Sequence, residues 1–217
     1  MADVVIECMR IFPDALVVGS GIYALLTQSM AYAILFGSLV EASLVYRLIK
    51  LFANYVNLTG RIIPSTDSLM HKCRSGFQAP SATLESLSMF GNEPLGVPFP
   101  SSPLFMLSTA SSYVFTTLSK QTKELEALGP AYSSRYYASA FFLLVLICLF
   151  MVFRISLNCE SIGVLVISSI LGLILGYFLV EQNLRLFGPQ AINLVGIPLL
   201  RNRTADGKKL YVCPTSS

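Results

Sequence analysis

Two stretches of this chain run without a charge for about as long as a bilayer is thick: Tyr136–Phe153, which reads YYASAFFLLVLICLFMVF, and Ser161–Val180. A helix needs about 20 predominantly apolar residues to cross roughly 30 Å of hydrocarbon. A third uncharged run, Ala15–Val40, is longer than that requirement. A fourth, Leu104–Ser119, is shorter and rich in Ser and Thr, which suits a helix packed inside a bundle. Composition points the same way, because only 12% of residues are charged, against about 25% in an ordinary soluble domain. The 54% hydrophobic residues and a mean hydropathy of +0.66 argue against a soluble enzyme, a disordered tail and a disulfide scaffold. The expected fold is all-α: a polytopic membrane helical bundle with about four transmembrane helices and one long irregular loop.

The chain divides into five segments. Residues 1–14 form an interfacial N-terminal segment ending near Pro13; its Asp3 and Glu7 do not suit the basic start of a secretory signal. Residues 15–57 read as one long first transmembrane helix that runs on through Glu41, Arg47 and Lys50, or else as a span and an amphipathic helix separated near Gly37. Residues 58–103 hold Pro64, Pro80, Pro94, Pro98, Pro100 and Pro103, so they form an irregular loop rather than a helix, and a loop of that length is usually an interaction surface. Residues 104–182 make a three-helix transmembrane portion, and residues 183–217 a polar tail broken by Gly188-Pro189 and Pro198. Gly172-x-x-x-Gly176 is either a close-packing motif or a chance occurrence in a glycine-rich helix.

Four spans would put the N-terminus, the 120–135 connection and the tail on one side, and the Lys/Arg bias then favours both termini in the cytosol. The sequons Asn57-Leu58-Thr59 and Asn202-Arg203-Thr204 fall on opposite sides, so both cannot be glycosylated, and they read as coincidence. Tyr132, Tyr136 and Tyr137 suit an interfacial aromatic belt. Glu41 would pair with Arg47 or Lys50, or face a protein neighbour.

The reactive side chains are few. With His71 the single histidine, no mechanism can use two imidazoles. The net charge of +3 is scattered, unlike the clustered basic stripe of a nucleic-acid binder. Cys8, Cys73, Cys148, Cys159 and Cys213 form no C-x-x-C pair and lack histidine partners at metal spacing, so no metal and no cofactor are expected. Their odd number argues against a disulfide framework; Cys148 reads as packing, and Lys72-Cys73-Arg74 as a solvated basic patch.

The segment FMVFRISLNCESIGVLVISSILGLILGYFLV resembles the last catalytic segment of the type 2 phosphatidic acid phosphatase superfamily, which includes the vanadium haloperoxidases. Members read S-R-x5-H-x3-D in the turn before a glycine-rich apolar helix, P-S-G-H at the start of an earlier span, and K-x6-R-P before that. Here Pro100-Ser101-Ser102-Pro103 stands in the place of P-S-G-H, and Lys50 with Asn57-Leu58 fits the first motif, or Arg61 fills the arginine slot in another register. The resemblance covers roughly residues 45–182. It implies phosphate-binding roles for Lys50, Arg61, Ser101 and Arg154. It also implies that the catalytic slots are degenerate: Glu160 replaces the nucleophilic histidine, Val164 its orienting aspartate and Pro103 the acid. Proline cannot transfer a proton, and a carboxylate at 160 would repel a phosphoester.

The expectation is therefore a pseudoenzyme lacking both catalytic histidines, an integral membrane protein with a structural or anchoring role. The ending ADGKKLYVCPTSS resembles tails of virion membrane proteins of large DNA viruses, which implies a virion inner membrane and capsid proteins as partners. Besides the bilayer, those partners would be met through the 58–103 loop and the C-terminal tail; nucleic acid is not expected. The alternative classes are a lipid-phosphate-binding or residual phosphatase-like protein and, third, a transporter or channel subunit, which the lack of mid-span charge disfavours.

Overall fold

The computed structural model describes residues 2–56, 73, 99–122 and 130–194. These residues contain five helices and no strand: α1 (Ala2–Thr27), α2 (Met30–Tyr55), α3 (Ser102–Lys120), α4 (Pro130–Ser156) and α5 (Ile162–Phe187). Four of them are long and apolar enough to cross a membrane, over Glu7–Thr27, Met30–Tyr55, Tyr136–Ser156 and Ile162–Phe187. At 1.5 Å per residue, a helix of 26 residues reaches about 39 Å, enough for hydrocarbon and part of each headgroup layer.

The first of these helices differ from the sequence expectation. The 15–57 region is not one helix, and its break is not at Gly37. The chain reverses at Gln28–Ser29, where Gln28 takes a left-handed backbone conformation (φ 50°) and Ser29 is extended. The Ser29 carbonyl then accepts the first bond of α2, from Ala33 N at 3.1 Å. Contacts across the turn fix the hairpin. The rings of Tyr23 and Tyr32 meet edge-on at 4.5 Å, and Gly21 leaves room for Phe36, whose ring carbons would lie 3.0 Å from a Cβ there. The 1–14 segment is likewise not a separate interfacial piece. It is the first half of α1, and Pro13 sits buried inside that helix. Proline removes only one helical hydrogen bond, a loss that membrane helices tolerate when neighbours pack around it.

Helix α3 is the least apolar of the five in its make-up and the most enclosed. Leu104, Phe105 and Met106 are wholly buried, and so are Ser108, Thr109 and Thr117. Large apolar side chains such as Leu25, Leu51, Phe141, Val152 and Phe178 point outwards on the other helices. This inverted distribution suits lipid as solvent, where polar groups gain most by meeting one another inside the bundle. Two of the α3 hydroxyls bond within the helix, Ser108 donating to the Leu104 carbonyl at 2.5 Å and Thr109 to the Phe105 carbonyl at 2.7 Å, whereas the buried hydroxyls of Ser111 and Thr117 have no hydrogen-bond partner among the described residues. Ser112 reaches across to the Leu173 carbonyl of α5 at 2.7 Å.

Pairwise contacts give the direction of each helix. Along α3 and α5, Ser101 meets Ser168, Ser112 meets Leu173, and Lys120 meets Glu181, so the two run parallel. Helix α2 opposes both, since Tyr46 reaches Pro100 while Ser38 reaches Asn183. Phe115 stacks on Tyr136, which sets α4 antiparallel to α3. Phe12 of α1 meets Phe150 of α4. One end of the bundle therefore gathers the starts of α1, α3 and α5 with the ends of α2 and α4; we call it the first end. The second end holds the α1–α2 turn, the end of α3, the start of α4 and the residues after α5. The N-terminus and the chain leaving α5 lie at opposite ends, not on one side as a four-span count implies.

The α3–α5 pair is the closest in the bundle, and glycine permits it. A Cβ on Gly172 would collide with the Phe105 carbonyl and the Ser108 hydroxyl, and one on Gly176 with the Thr109 carbonyl. Backbone atoms cannot yield cheaply, so Gly172→Ala and Gly176→Ala should each destabilise the protein by about 1–3 kcal/mol. At Gly163 on the same helix nothing lies within 4 Å of a Cβ. Gly163→Ala should therefore leave the thermal midpoint in detergent unchanged or slightly raised, while the other two lower it.

Candidate functional site

The turn between α4 and α5 is built from short-range bonds. Leu157 N donates to the Phe153 carbonyl at 3.1 Å, Asn158 N to that of Ile155 at 2.9 Å, and Cys159 N to that of Arg154 at 3.1 Å. Asn158 takes a left-handed conformation (φ 52°), which asparagine adopts more readily than most residues. The reversal carries Glu160 back beside Arg154. Ser161 then caps α5, its hydroxyl accepting from Val164 N at 3.5 Å.

Arg154 is 6% exposed, and its guanidinium is bound on three sides. Nε donates to Glu160 Oε2 at 3.2 Å and Nη2 to Oε1 at 2.5 Å. Nη1 donates to the Cys73 carbonyl at 3.0 Å. The Glu160 side chain is as deeply buried as that of Arg154. A bidentate arginine–carboxylate fork is the geometry with which arginine grips a phosphate, so Glu160 occupies the position an anionic ligand would take. Cys73 and Cys159 are joined by a disulfide, with their Cα atoms 5.3 Å apart. This corrects the expectation drawn from the odd cysteine count. Cys8 and Cys148 are free, and Cys213 lies outside the described residues.

Of the remaining proposed phosphate contacts, Lys50 and Ser101 lie at the first end. Lys50 Nζ stands 5.9 Å from the centre of the Tyr46 ring, and the Tyr46 hydroxyl donates to the Pro100 carbonyl at 3.1 Å. Ser101 precedes α3 and donates its backbone N–H to Ser168 Oγ at 2.7 Å, whereas its own buried hydroxyl has no hydrogen-bond partner among the described residues. Pro103 is buried in the first turn of α3 and Val164 half-buried in that of α5. Arg61 lies outside the described residues, as do both sequons and His71. Among the described residues no three of His, Cys, Asp or Glu gather as a metal site would require.

Sequence reading did not anticipate the polar contacts at the second end. Asn183 donates to Ser38 Oγ at 2.7 Å and to the Tyr113 hydroxyl at 2.9 Å, tying α5 to α2 and α3. Lys120 pairs with Glu181 at 2.5 Å, and Glu41 accepts from Gln182 at 3.2 Å. After α5 stops at Gly188, the chain packs back: Gln121 donates to the Ile192 carbonyl at 3.0 Å and Tyr32 to that of Leu194 at 2.9 Å. Glu181, Gln182 and Asn183 are consecutive, and that polar trio closing an apolar run was the available signal.

No family model, curated protein or solved structure matches the chain.

Removing one partner of a buried ion pair strands the other charge and typically costs about 3–5 kcal/mol. Arg154→Gln and Glu160→Gln should each lower the thermal midpoint sharply in detergent. Arg154→Leu with Glu160→Leu should cost much less than the two leucine substitutions added together, as a double-mutant cycle would reveal. Replacing both Cys73 and Cys159 by Ser should remove about 2–4 kcal/mol, and adding reductant to the wild type should reproduce that loss.

Proposed function

We propose that this chain is a non-catalytic, multi-pass membrane protein with a structural, anchoring role. The observation that carries this reading is the engagement of Arg154 by the chain's own Glu160 and by the Cys73 carbonyl. An arginine meant to bind and release phosphate must be free to exchange partners. Here the partner is covalently part of the same turn and its side chain is as buried as that of the arginine, so a phosphoester would have to displace a carboxylate held at very high local concentration.

Among the described residues, the slots that the resemblance marks supply no chemistry in its place. Pro103 has no proton to give and Val164 nothing with which to orient a base. Glu160 cannot act as a nucleophile while its two oxygens are both held by the guanidinium. The chain thus resembles the phosphatase frame with its catalytic groups replaced by structural ones. On the resemblance of the ADGKKLYVCPTSS ending, the membrane we propose is the inner membrane of a large DNA virus particle, and the anchored partner a capsid protein.

Phosphate release from a panel of lipid phosphates by the purified protein tests the first part. Wild type, Arg154→Ala and Glu160→Ala should all give buffer-level rates; turnover by the wild type that disappears in both variants would overturn the reading. For the anchoring role, amine cross-linking in intact particles should join Lys208 or Lys209 to a protein without membrane spans. Links confined to other copies of this chain would count against it.

A further inference from the structure

The disulfide carries information about the membrane as well as about the fold. Cys73 and Cys159 are bonded at the first end of the bundle, where α4 ends and α5 begins. The five helices alternate in direction, so this end and the end at which the chain leaves α5 face different compartments. Disulfides persist in oxidising compartments and are rare where glutathione and thioredoxin keep thiols reduced. We propose that the first end, with the N-terminus and the 57–98 connection, faces an oxidising, non-cytosolic compartment, and that the second end, with the C-terminal tail, faces the cytosol.

Forming the bond takes two protons and two electrons from the Cys73 and Cys159 thiols. They pass to the disulfide of a thiol–disulfide oxidoreductase of that compartment, which is reduced to its dithiol as the new S–S bond closes. Arg154 favours the joined state, because its bond to the Cys73 carbonyl holds that residue beside the turn carrying Cys159. A segment docked in this way presents its thiol for exchange at short range.

Charge alone would not have given this orientation. With α1 and α2 as separate helices, basic residues are shared almost evenly between the ends. Arg10, Arg47, Lys50, Arg61, Lys72, Arg74 and Arg154 belong to the first; Lys120, Lys123, Arg135, Arg185 and the tail's Arg201, Arg203, Lys208 and Lys209 to the second. The positive-inside rule works on an imbalance, and here there is almost none. The sequons do not separate the two orientations either, since each end carries one. Glycosylation acts on the non-cytosolic side, and Asn57-Leu58-Thr59 directly follows α2 at the first end, while Asn202-Arg203-Thr204 follows α5 at the second. The inference does not depend on the anchoring role. If that role also holds, the partner reached by the tail is cytosolic.

The test uses sealed, cytosol-side-out vesicles from expressing cells and a membrane-impermeant maleimide on a polymer that shifts the band on a gel. In a Cys8→Ser, Cys148→Ser background, the full-length chain should gain one adduct, at Cys213, and lose it in Cys213→Ser. An added Ala2→Cys should stay unlabelled until detergent opens the vesicles. Cys73 and Cys159 should label only after both detergent and reductant. Labelling of Ala2→Cys in intact vesicles, with Cys213 protected, would reverse the assignment. Labelling of Cys73 and Cys159 in detergent without reductant would remove its basis.

Discussion

Ser102, Ser108, Thr109, Ser111, Ser112, Thr116 and Thr117 are all buried along α3, and a helix so rich in hydroxyls cannot face hydrocarbon without loss. A hydroxyl without a partner in an apolar medium costs several kcal/mol on transfer scales. The other helices solve this by surrounding α3 and turning their apolar surfaces outwards. Since lipid is as apolar as leucine, they gain little from burying leucine against one another. What holds α3 in place is close approach and polar contact: the glycine face of α5, and the Ser112 bond to the Leu173 carbonyl. The parallel α3–α5 pair is the axis on which the bundle is assembled.

The two ends are then closed by different means. At the second end the bonds are numerous and reversible, running through Asn183, Gln121, Tyr32 and the Lys120–Glu181 pair. They tie residues before and after the helices into one cap. At the first end the closure is covalent and ionic. Cys73 belongs to a connection far from α4 in sequence, yet it is fixed twice to the same turn, by its sulfur to Cys159 and by its carbonyl to Arg154. Either restraint alone would limit Cys73; together they hold it against the turn.

Legibility in the sequence follows from what each structural feature depends on. The spans in α4 and α5 were readable because hydropathy alone decides them, although α5 continues through Glu181 to Phe187, where helical bonding is indifferent to charge and the charged groups find partners. The α1–α2 turn was hidden, since Thr27-Gln28-Ser29 contains neither glycine nor proline and a left-handed glutamine is uncommon. Only the polarity of those three residues in an apolar run marks it. Pro13 misled in the opposite direction, as a helix can keep a proline when its neighbours pack around it. The Arg154–Glu160 fork lay beyond reach for a geometric reason. The two are six apart, outside the helical i+3 and i+4 spacings, and meet because Asn158 turns the chain back. The disulfide joins residues 86 apart, and no local pattern encodes such a pairing.

Glu160 therefore changes its meaning between sequence and structure. Compared with a phosphatase pattern, a carboxylate in the nucleophile slot is a lesion that repels substrate. Within the fold it neutralises the one arginine that the turn buries, and so allows that arginine to stay buried. An unpaired guanidinium so nearly enclosed would draw in water or an anion or would force the turn open. A carboxylate supplied by the chain fills the place an anionic ligand would take and neutralises the arginine within the turn. The Cys73 carbonyl completes the fork, and the disulfide holds that carbonyl where the arginine can use it. Groups that could have formed a site for exchange thus form a fixed joint between Cys73 and the turn that links α4 to α5.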